Sequence, residues 1–464
     1  MGCEVMVKNT MELQLQVKCG EVVMVRPCLP SPKTTLYLSN LDDQSMLRFM
    51  VRQILLYKVY NNSNSNSLGN PAKVIREALS KVLVYYYPMA GRLRSSHNGK
   101  LQVEYNAEGV PFMAATSDNN LSVLGDCDDL KQSFHQLIST IPFGAETESI
   151  YPLVLQVTQF SCGGFVLGYG SNHSICDGLG MAQFLNGLGE MARGVGKLSV
   201  QPIWDRELLK PRNPPQVMFH HSELVTDSFI SSFQEHEECV HYFHYLDSKT
   251  IKQIKQRLMG ECKESFSSFD IGAALFWRAM TKAHKIPHSH SVKLVFAMNS
   301  RKLFKPPLHN GYYGNCFYPV CATARAEELY STSILQVIMI IKRSRLLLSN
   351  EYLRSSIDFV EINRKVMNQH VHVPMKNVVF MSDWRFLGLN SVDFGWGETS
   401  ILSPIEWSGF FHANFIVFIQ PPKGKDGIKV LLCMPQTTLK LFEIEMEVGI
   451  LSNSMEKDMQ RSSL

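Results

Sequence analysis

The chain has 464 residues, of which 45% are hydrophobic and 19% are charged, and its formal net charge is +4. This length and balance exclude a disordered or fibrous chain and predict a globular protein with two domains of comparable size. Lys and Arg are spread along the chain without a basic run, so the charge does not indicate a nucleic-acid partner. The sequence contains no apolar stretch of about 18 residues, the length of a membrane span. Its N-terminus has no apolar targeting segment, so we expect a cytoplasmic protein without a membrane span.

The eleven cysteines are odd in number and are scattered without CxxC pairs. In an intracellular chain of this size, such a pattern indicates reduced thiols that pack as small core residues. Neither a disulfide framework nor a metal site is therefore expected.

The first strong helix signal follows Asn70. Asn is a favoured N-cap, Pro71 suits the first helical turn, and apolar residues then recur at helical spacing as far as Leu83. The sequence therefore predicts a helix that begins at Pro71 and ends before Pro88.

A buried hairpin is predicted in the middle of the first half. Segments 151–160 and 165–171 are rich in Val, Leu and aromatic residues, and a Ser-Cys-Gly-Gly turn joins them. Apolar residues at helical spacing follow from Met181 to Met191. His173 is thus expected where a strand ends and before a helix begins, a place that holds a side chain rigidly.

The Pro-rich, polar stretch 201–224 divides the chain and has the composition of an interdomain crossover. Domains are therefore predicted at 1–200 and 225–464. The elements predicted in the second half are helices at 268–279 and 333–347 and strands at 292–298, near 416 and at 428–434. The sequence shows no fixed-period repeat, so a solenoid or propeller is not expected.

His173 and Asp177 form an HxxxD pattern that closes with Gly178. A histidine at this point can act as a general base when its other ring nitrogen is held by a backbone carbonyl. Gly178 can take the backbone through a tight turn. The alternative is a structural His–Asp pair in a loop.

A second motif, Asp393-Phe-Gly-Trp-Gly, places two glycines around Trp396. Taken alone, this pattern is typical of a turn with a buried tryptophan.

Together, an HxxxD beginning at His173 and a DFGWG beginning at Asp393 resemble the plant BAHD acyltransferase family. Three further segments in the same order strengthen the resemblance: YYPMAGRL at 86–93, SSF at 267–269 and GYYGN at 311–315. Segments 30–33, 189–194 and 202–204 are most similar to the taxane-acylating branch of that family.

The resemblance implies an α/β fold of two chloramphenicol-acetyltransferase-like domains, with mixed sheets, flanking helices and a long crossover loop. It also implies a tunnel between the domains, which acyl-CoA enters as co-substrate at one mouth and a small-molecule alcohol at the other. No bound cofactor is expected, and a monomer is predicted. The implied reaction is O-acylation, with acetyl as the donor group, of a hydroxyl on a taxane-type diterpenoid.

Roles for individual residues follow from the same resemblance. His173 would take the proton of the acceptor hydroxyl, and Asp177 would form a structural salt bridge with Arg301. Asp393 is a second and weaker candidate for a catalytic residue. The remaining expected site residues are Gly178, Gly395, Trp396 and Gly397 as structural supports, and Ser267 and Ser268 as CoA contacts. The chain departs from the family at Asn299, where relatives commonly carry Asp, and after Glu447.

Three other functions have less support in the sequence. His236, His241 and His244 superficially resemble a zinc site, but the first two are five residues apart where HExxH requires four. The sequence has no GxSxG and no GxxxxGK[ST], so a nucleophile-elbow hydrolase and a P-loop NTPase have no support.

Three readings remain open beside the main one. A bacterial acetyltransferase or peptide-condensation enzyme also uses HHxxxDG, but Asn172 replaces its first histidine here. The acceptor could instead be another plant alcohol or an amine. A catalytically silent binding protein on the same fold would bind ligand without thioester turnover.

Overall fold

The computed structural model describes residues 14–31, 33–59, 69–127, 132–139, 150–221, 223–224, 239–369, 376–406 and 414–454. Within these ranges the chain forms fifteen strands and eight α-helices. The strands are β1 Lys18–Val25, β2 Thr34–Tyr37, β3 Met50–Tyr57, β4 Arg92–Ser95, β5 Leu101–Tyr105, β6 Val110–Ser117, β7 Leu153–Phe160, β8 Phe165–Asn172, β9 Cys239–Leu246, β10 Ser291–Asn299, β11 Phe317–Arg325, β12 Val378–Asp383, β13 Ile401–Glu406, β14 Phe415–Ile419 and β15 Ile428–Pro435. The helices are α1 Pro71–Val82, α2 Gly178–Ala192, α3 Ser248–Glu261, α4 Ser268–Ala283, α5 Ala326–Ser331, α6 Ile334–Arg345, α7 Asn350–Gln369 and α8 Gln436–Ser454.

Two mixed sheets dominate the described residues. The first has six strands in the order β1-β6-β7-β8-β3-β13, and the second has six in the order β11-β10-β12-β14-β15-β9. The small sheet β2-β5-β4 lies apart from them. This mixed α/β architecture agrees with the fold class expected from the sequence.

The first sheet is covered on both faces, which explains why β8 is buried at every position. Helices α1 and α2 pack on one face and share a large apolar core with β7 and β8. The short helical segments 121–124 and 132–137 cover the other face through a second cluster. A strand buried on both sides reads as a continuous apolar run, which is the pattern that predicted the β7–β8 hairpin.

The second sheet packs on α4, whose central Trp277 is fully buried. Helix α4 begins with a capping box, in which Ser267 Oγ accepts from Asp270 N at 3.1 Å and Asp270 Oδ2 accepts from Ser267 N at 2.8 Å. These reciprocal bonds satisfy backbone donors that a helix start leaves open. They explain the abrupt start of α4 at Ser268.

Strand β13 crosses from the second half of the chain into the first sheet. Residues 401–406 pair antiparallel with β3, so the segment that follows the DFGWG motif completes the edge of the N-terminal sheet. Strand β13 thus belongs to the second half of the chain and to the sheet of the first half. The domain boundaries predicted at 200 and 225 remain predictions.

Most elements expected from local patterns are present. Helix α1 begins at Pro71, and Asn70 Oδ1 accepts from Lys73 N at 3.0 Å. The last helix, which the sequence left in doubt, continues beyond Glu447 to Ser454. Among the described helices, none has both the length and the apolar composition that a bilayer crossing requires.

Candidate active site

A cavity of about 270 Å³ lies between the two large sheets. Its wall combines β3, β8 and β13 of the first sheet with β10, β11, β12 and β14 of the second. The aromatic lining residues other than His173 are Phe49, Tyr169, Phe296, Phe317, Phe380, Trp384 and Phe415. An apolar, aromatic chamber with a few polar groups is the usual form of a small-molecule site.

His173 lies on this wall, one residue beyond the end of β8. Its backbone N–H donates to Phe49 O at 2.9 Å, which continues the β3–β8 ladder. The imidazole packs between Phe49 and Phe317, with ring centroids 5.5 and 5.7 Å away. Backbone pairing and two aromatic neighbours therefore fix the position of the ring.

Asn315 determines which nitrogen of His173 carries the proton. The Asn315 amide N–H2 donates to Asp42 Oδ1 at 2.9 Å and to His173 O at 2.7 Å, so its Oδ1 must face the imidazole. That oxygen lies 3.1 Å from His173 Nδ1. Because a carbonyl oxygen can only accept, Nδ1 carries the hydrogen and Nε2 keeps its lone pair. Within the described residues Nε2 has no hydrogen-bond partner, and it is left to the cavity.

The sequence led us to expect a backbone carbonyl at Nδ1, whereas the structure adds the side-chain oxygen of Asn315. Burial lowers the pKa of His173 below its usual value, and its own carbonyl, the charge of Asp177 and the contact with Asn315 only partly oppose this. The imidazole is therefore neutral at pH 7, as a general base requires.

The crossover segment supports Asp42 from behind. Arg206 is fully buried, and its Nε lies 3.4 Å from Asp42 Oδ2. Its guanidinium stacks on Trp204 at 3.6 Å and donates to Ile175 O at 2.6 Å. Gly314 allows this approach, because a Cβ there would lie 2.8 Å from Arg206 Cζ. The buried arginine thus ties the crossover to the loop that contains Asn315.

Asp177 connects the first half of the chain to the second half through Arg301 and Cys316. Its carboxylate accepts from Arg301 Nη1 and Nη2 at 2.9 and 2.8 Å, from Gly180 N at 2.9 Å and from Cys316 N at 3.0 Å. Burial raises the pKa of Asp177, but Arg301 and the two backbone donors outweigh burial and hold that pKa below its usual value. Asp177 is therefore an ionised N-cap of α2 whose carboxylate is occupied by Arg301 and by backbone donors.

Two neighbouring positions refine the sequence expectations. Asn299 Oδ1 accepts from Arg301 N at 3.2 Å and from its Nη1 at 3.3 Å, so the neutral amide still holds the arginine. Gly178 is the first residue of α2 and its φ is not positive, so the expected tight turn is not its role. A Cβ at Gly178 would lie 2.7 Å from Leu387 Cδ1, so Gly178 lies in close contact with that side chain.

Among the described residues, the Cys176 and Cys316 thiols and the Ser174 hydroxyl are not suited to form an acyl-enzyme. Burial raises the pKa of Cys176 to about 12 and that of Cys316 to about 12, so both remain protonated thiols at neutral pH. Ser174 is fully buried and donates to Leu47 O at 3.1 Å. The geometry therefore favours direct attack by a bound hydroxyl.

The DFGWG segment lies outside the cavity lining. Asp393 Oδ1 accepts from Gly395 N at 2.7 Å and from Gly397 N at 2.8 Å, which closes a tight loop. Both glycines have positive φ, of 110° and 91°, a conformation that L side chains rarely adopt. Trp396 packs edge-on against Phe165 of β8 at 5.3 Å. The loop thereby anchors the chain just before β13.

Ser267 and Ser268 are also absent from the cavity lining, and both hydroxyls are engaged. Ser267 Oγ belongs to the capping box of α4, and Ser268 Oγ accepts from Arg385 Nη1 at 2.9 Å. Arg385 in turn pairs with Asp383, which does line the cavity. A CoA contact at either serine remains a prediction.

The histidines weighed as zinc ligands do not converge. His241 and His244 both lie on β9, and their odd separation points their side chains to opposite faces of the sheet. His236 lies outside the described residues. Among those that are described, no cluster of three or more His, Cys, Asp or Glu side chains could hold a metal ion.

Asn315, Asp42 and Arg206 are the residues of this site that the sequence analysis missed. Asn315 belongs to the GYYGN segment, but neither its hydrogen-bond partner nor its role follows from the spacing of residues in the sequence. Asp42 and Arg206 carried no signal, because the first lies 273 residues before Asn315 and the second lies in the Pro-rich crossover.

We expect Asp177→Ala to lower the free energy of unfolding by about 3–5 kcal/mol, because it leaves Arg301 buried without its counter-charge. Asp247→Ala is the matched control, since Asp247 caps α3 but has no ion-pair partner among the described residues. Loss of such a cap alone costs about 0.5–2 kcal/mol. Urea unfolding of both variants measures the difference, and equal losses would show that the ion pair adds nothing to the cap.

Comparisons with known proteins identify the family of the chain. The family model described as the Transferase family matches residues 15–448. The chain is 45% identical to taxadien-5-alpha-ol O-acetyltransferase of Taxus chinensis, over 93% of this chain and 97% of that protein. It is 43% identical to 3'-N-debenzoyl-2'-deoxytaxol N-benzoyltransferase of Taxus canadensis, over 94% of this chain and 96% of that protein.

Solved structures share the fold. Vinorine synthase matches with a TM-score of 0.72 at 22% identity, over 93% of this chain and 98% of its own. F. graminearum TRI101 in complex with coenzyme A and deoxynivalenol matches with a TM-score of 0.67 at 16% identity, over 88% of this chain and 96% of its own. The two-domain, chloramphenicol-acetyltransferase-like fold expected from the sequence is thereby confirmed. With the family model spanning nearly the whole chain and acyltransferases among its similar relatives, the chain belongs to the BAHD acyltransferase family and is an acyl-CoA-dependent O-acyltransferase.

Proposed function

We propose that this chain transfers an acetyl group from acetyl-CoA to a hydroxyl of a taxane-type diterpenoid, with His173 Nε2 as the general base. The observation that carries the proposal is the fixed tautomer of His173. Asn315 Oδ1 occupies Nδ1, and Nε2 is left to an apolar cavity with its lone pair available.

The reaction proceeds in one transfer. Nε2 of His173 takes the proton of the acceptor hydroxyl, and the oxygen attacks the thioester carbonyl of acetyl-CoA. The tetrahedral intermediate collapses with cleavage of the carbon–sulfur bond, and the proton on Nε2 passes to the departing CoA sulfur. The imidazolium formed on the way is stabilised by Asn315 Oδ1 and by the charges of Asp42 and Asp177.

Three considerations support the taxane acceptor and the acetyl donor. The cavity lining is predominantly apolar and aromatic, which suits a fused-ring terpenoid better than a sugar or an amino acid. Several relatives between 41% and 45% identical carry names that specify taxane substrates. Those at 45% identity are named O-acetyltransferases, which favours acetyl over benzoyl.

The remaining site residues act as supports in this proposal. Asp177 and Arg301 hold the start of α2 against the loop that contains Asn315. Asp393 closes the DFGWG loop with Gly395 and Gly397. Gly178 and Trp396 provide close packing. A monomer in the cytosol remains a prediction.

The direct test measures CoA release by the purified chain with acetyl-CoA or benzoyl-CoA and a panel of taxane alcohols, with the products identified by mass. We expect acetylated product, and a loss of about 100- to 10,000-fold in kcat for His173→Ala, the usual contribution of proton transfer. Ligand binding without turnover would contradict the proposal and favour a silent binding protein. Undiminished turnover by His173→Ala would contradict the role of the base.

The pH dependence of kcat/KM tests the tautomer. Because His173 works unprotonated, the rate falls as pH falls through its pKa, and we expect this acid limb below 6.5, the ordinary value. Asn315→Leu removes an acceptor that favours the imidazolium, so the limb should move to still lower pH. The same variant should lower kcat by about 10- to 100-fold, the contribution of a hydrogen bond to a charged group. A kcat unchanged by Asn315→Leu would show that Asn315 does not position the base.

Two substitutions of Asp393 distinguish a structural role of this residue from a catalytic one. Asp393→Asn keeps the Oδ1 acceptor of the loop, so we expect it to cost less than about tenfold in kcat/KM, far below the loss of a proton-transfer group. Asp393→Ala removes both hydrogen bonds and should lower the free energy of unfolding by about 1–3 kcal/mol. A large loss of kcat in Asp393→Asn, with unchanged stability, would instead establish a catalytic role.

A further inference from the structure

One polar side chain on the cavity wall has no use in the mechanism. Gln53 of β3 lines the same cavity as His173 and is only 4% exposed. One end of its amide meets the phenol of Tyr169, which is buried on the paired strand β8. Among the described residues, the other end of the Gln53 amide has no hydrogen-bond partner.

The Gln53 amide is held in place on its protein side. Gln53 and Tyr169 are register partners on neighbouring antiparallel strands, so their side chains lie on the same face. Whichever way the amide is turned, one of its two polar ends faces Tyr169 and the other faces the cavity. A fixed and buried polar group is unfavourable unless a partner satisfies it.

Several other polar lining groups are already paired. Arg301 binds Asp177, and Ser382 Oγ accepts from Trp384 Nε1 at 3.0 Å. Asp383 pairs with Arg385. Gln53 differs from these groups because it is buried, anchored at one end and open to the cavity at the other.

The position of Gln53 restricts what could satisfy it. Tyr169 lies on β8 and His173 follows the last residue of that strand, so the two are four residues apart, which is roughly 13 Å along an extended chain. A molecule whose reacting hydroxyl is at His173 reaches Gln53 only through an oxygen on a distant part of its skeleton. An oxygen adjacent to the reacting hydroxyl would remain near His173.

We propose that Gln53 binds a second oxygen of the acceptor, so that the acceptor is a polyoxygenated terpenoid and not a mono-alcohol. This inference rests on the proposed function, since it concerns the acceptor of that same site. A hydroxyl satisfies either end of the Gln53 amide, and a ketone satisfies its N–H2. An acceptor that lacks this oxygen leaves the buried amide unpaired, which is the situation in which enzymes discriminate strongly between analogues.

The test compares matched acceptors with the purified full chain and acetyl-CoA. The acceptors are a taxane mono-alcohol, the same skeleton with a distant second hydroxyl, and its ketone analogue. We expect native protein to prefer both oxygen-bearing acceptors in kcat/KM. Gln53→Leu should reduce that preference about tenfold, the net effect of one hydrogen bond. Gln53→Met, which is closer in length, should reduce it similarly.

Val51→Ala is the matched control, because Val51 lies on the same strand, lines the same cavity and offers no polar group. It should change kcat/KM for all three acceptors in equal proportion. A preference that survives in both Gln53 variants would overturn the inference while leaving the proposed function intact. A change confined to the KM of acetyl-CoA would also overturn it, by placing Gln53 on the donor side. Failure of native protein to acylate any acceptor would overturn the proposed function, and this inference with it.

Discussion

The rest of the site depends on the contacts that the carboxylate of Asp177 makes. This carboxylate caps α2, pairs with Arg301 and accepts from Cys316 N, so one buried group joins the end of β8 to the loop 311–316 of the second half. Because Asn315 is the residue before Cys316, this contact places the amide beside His173. Without Asp177, the largely buried guanidinium of Arg301 would lose its counter-charge, which is strongly destabilising.

The chemistry follows from that placement. Asp42 orients the Asn315 amide, the amide sets the tautomer of His173, and burial keeps the imidazole neutral. Burial holds the neighbouring Cys176 and Cys316 thiols protonated, so neither is a nucleophile at neutral pH. Strand β13 brings part of the second half into the first sheet by pairing with β3, and its Pro404 lines the cavity between the sheets.

Local patterns predicted what local physics determines. The start of α1 at Pro71 and the β7–β8 hairpin follow from capping, periodicity and turn composition. The Asp177–Arg301 pair entered only through the family resemblance, because the two residues are 124 positions apart. Three further features depend on tertiary geometry, which no sequence spacing encodes. They are the pairing of β13 with β3, the contact between Asp42 and Asn315, and the close contact between Gly178 and Leu387.

The proposed chemistry requires His173 to carry its proton on Nδ1 and to be unprotonated at Nε2. Nitrogen-15 NMR of the histidine-labelled protein, with His173→Gln to assign the signals, reads the two ring nitrogens separately. At pH 7.5 we expect a protonated, hydrogen-bonded Nδ1 and a bare Nε2, and we expect Asn315→Leu to remove this bias. A native His173 with its proton on Nε2, or an equal mixture of the two tautomers, would show that Asn315 does not set the tautomer of the base.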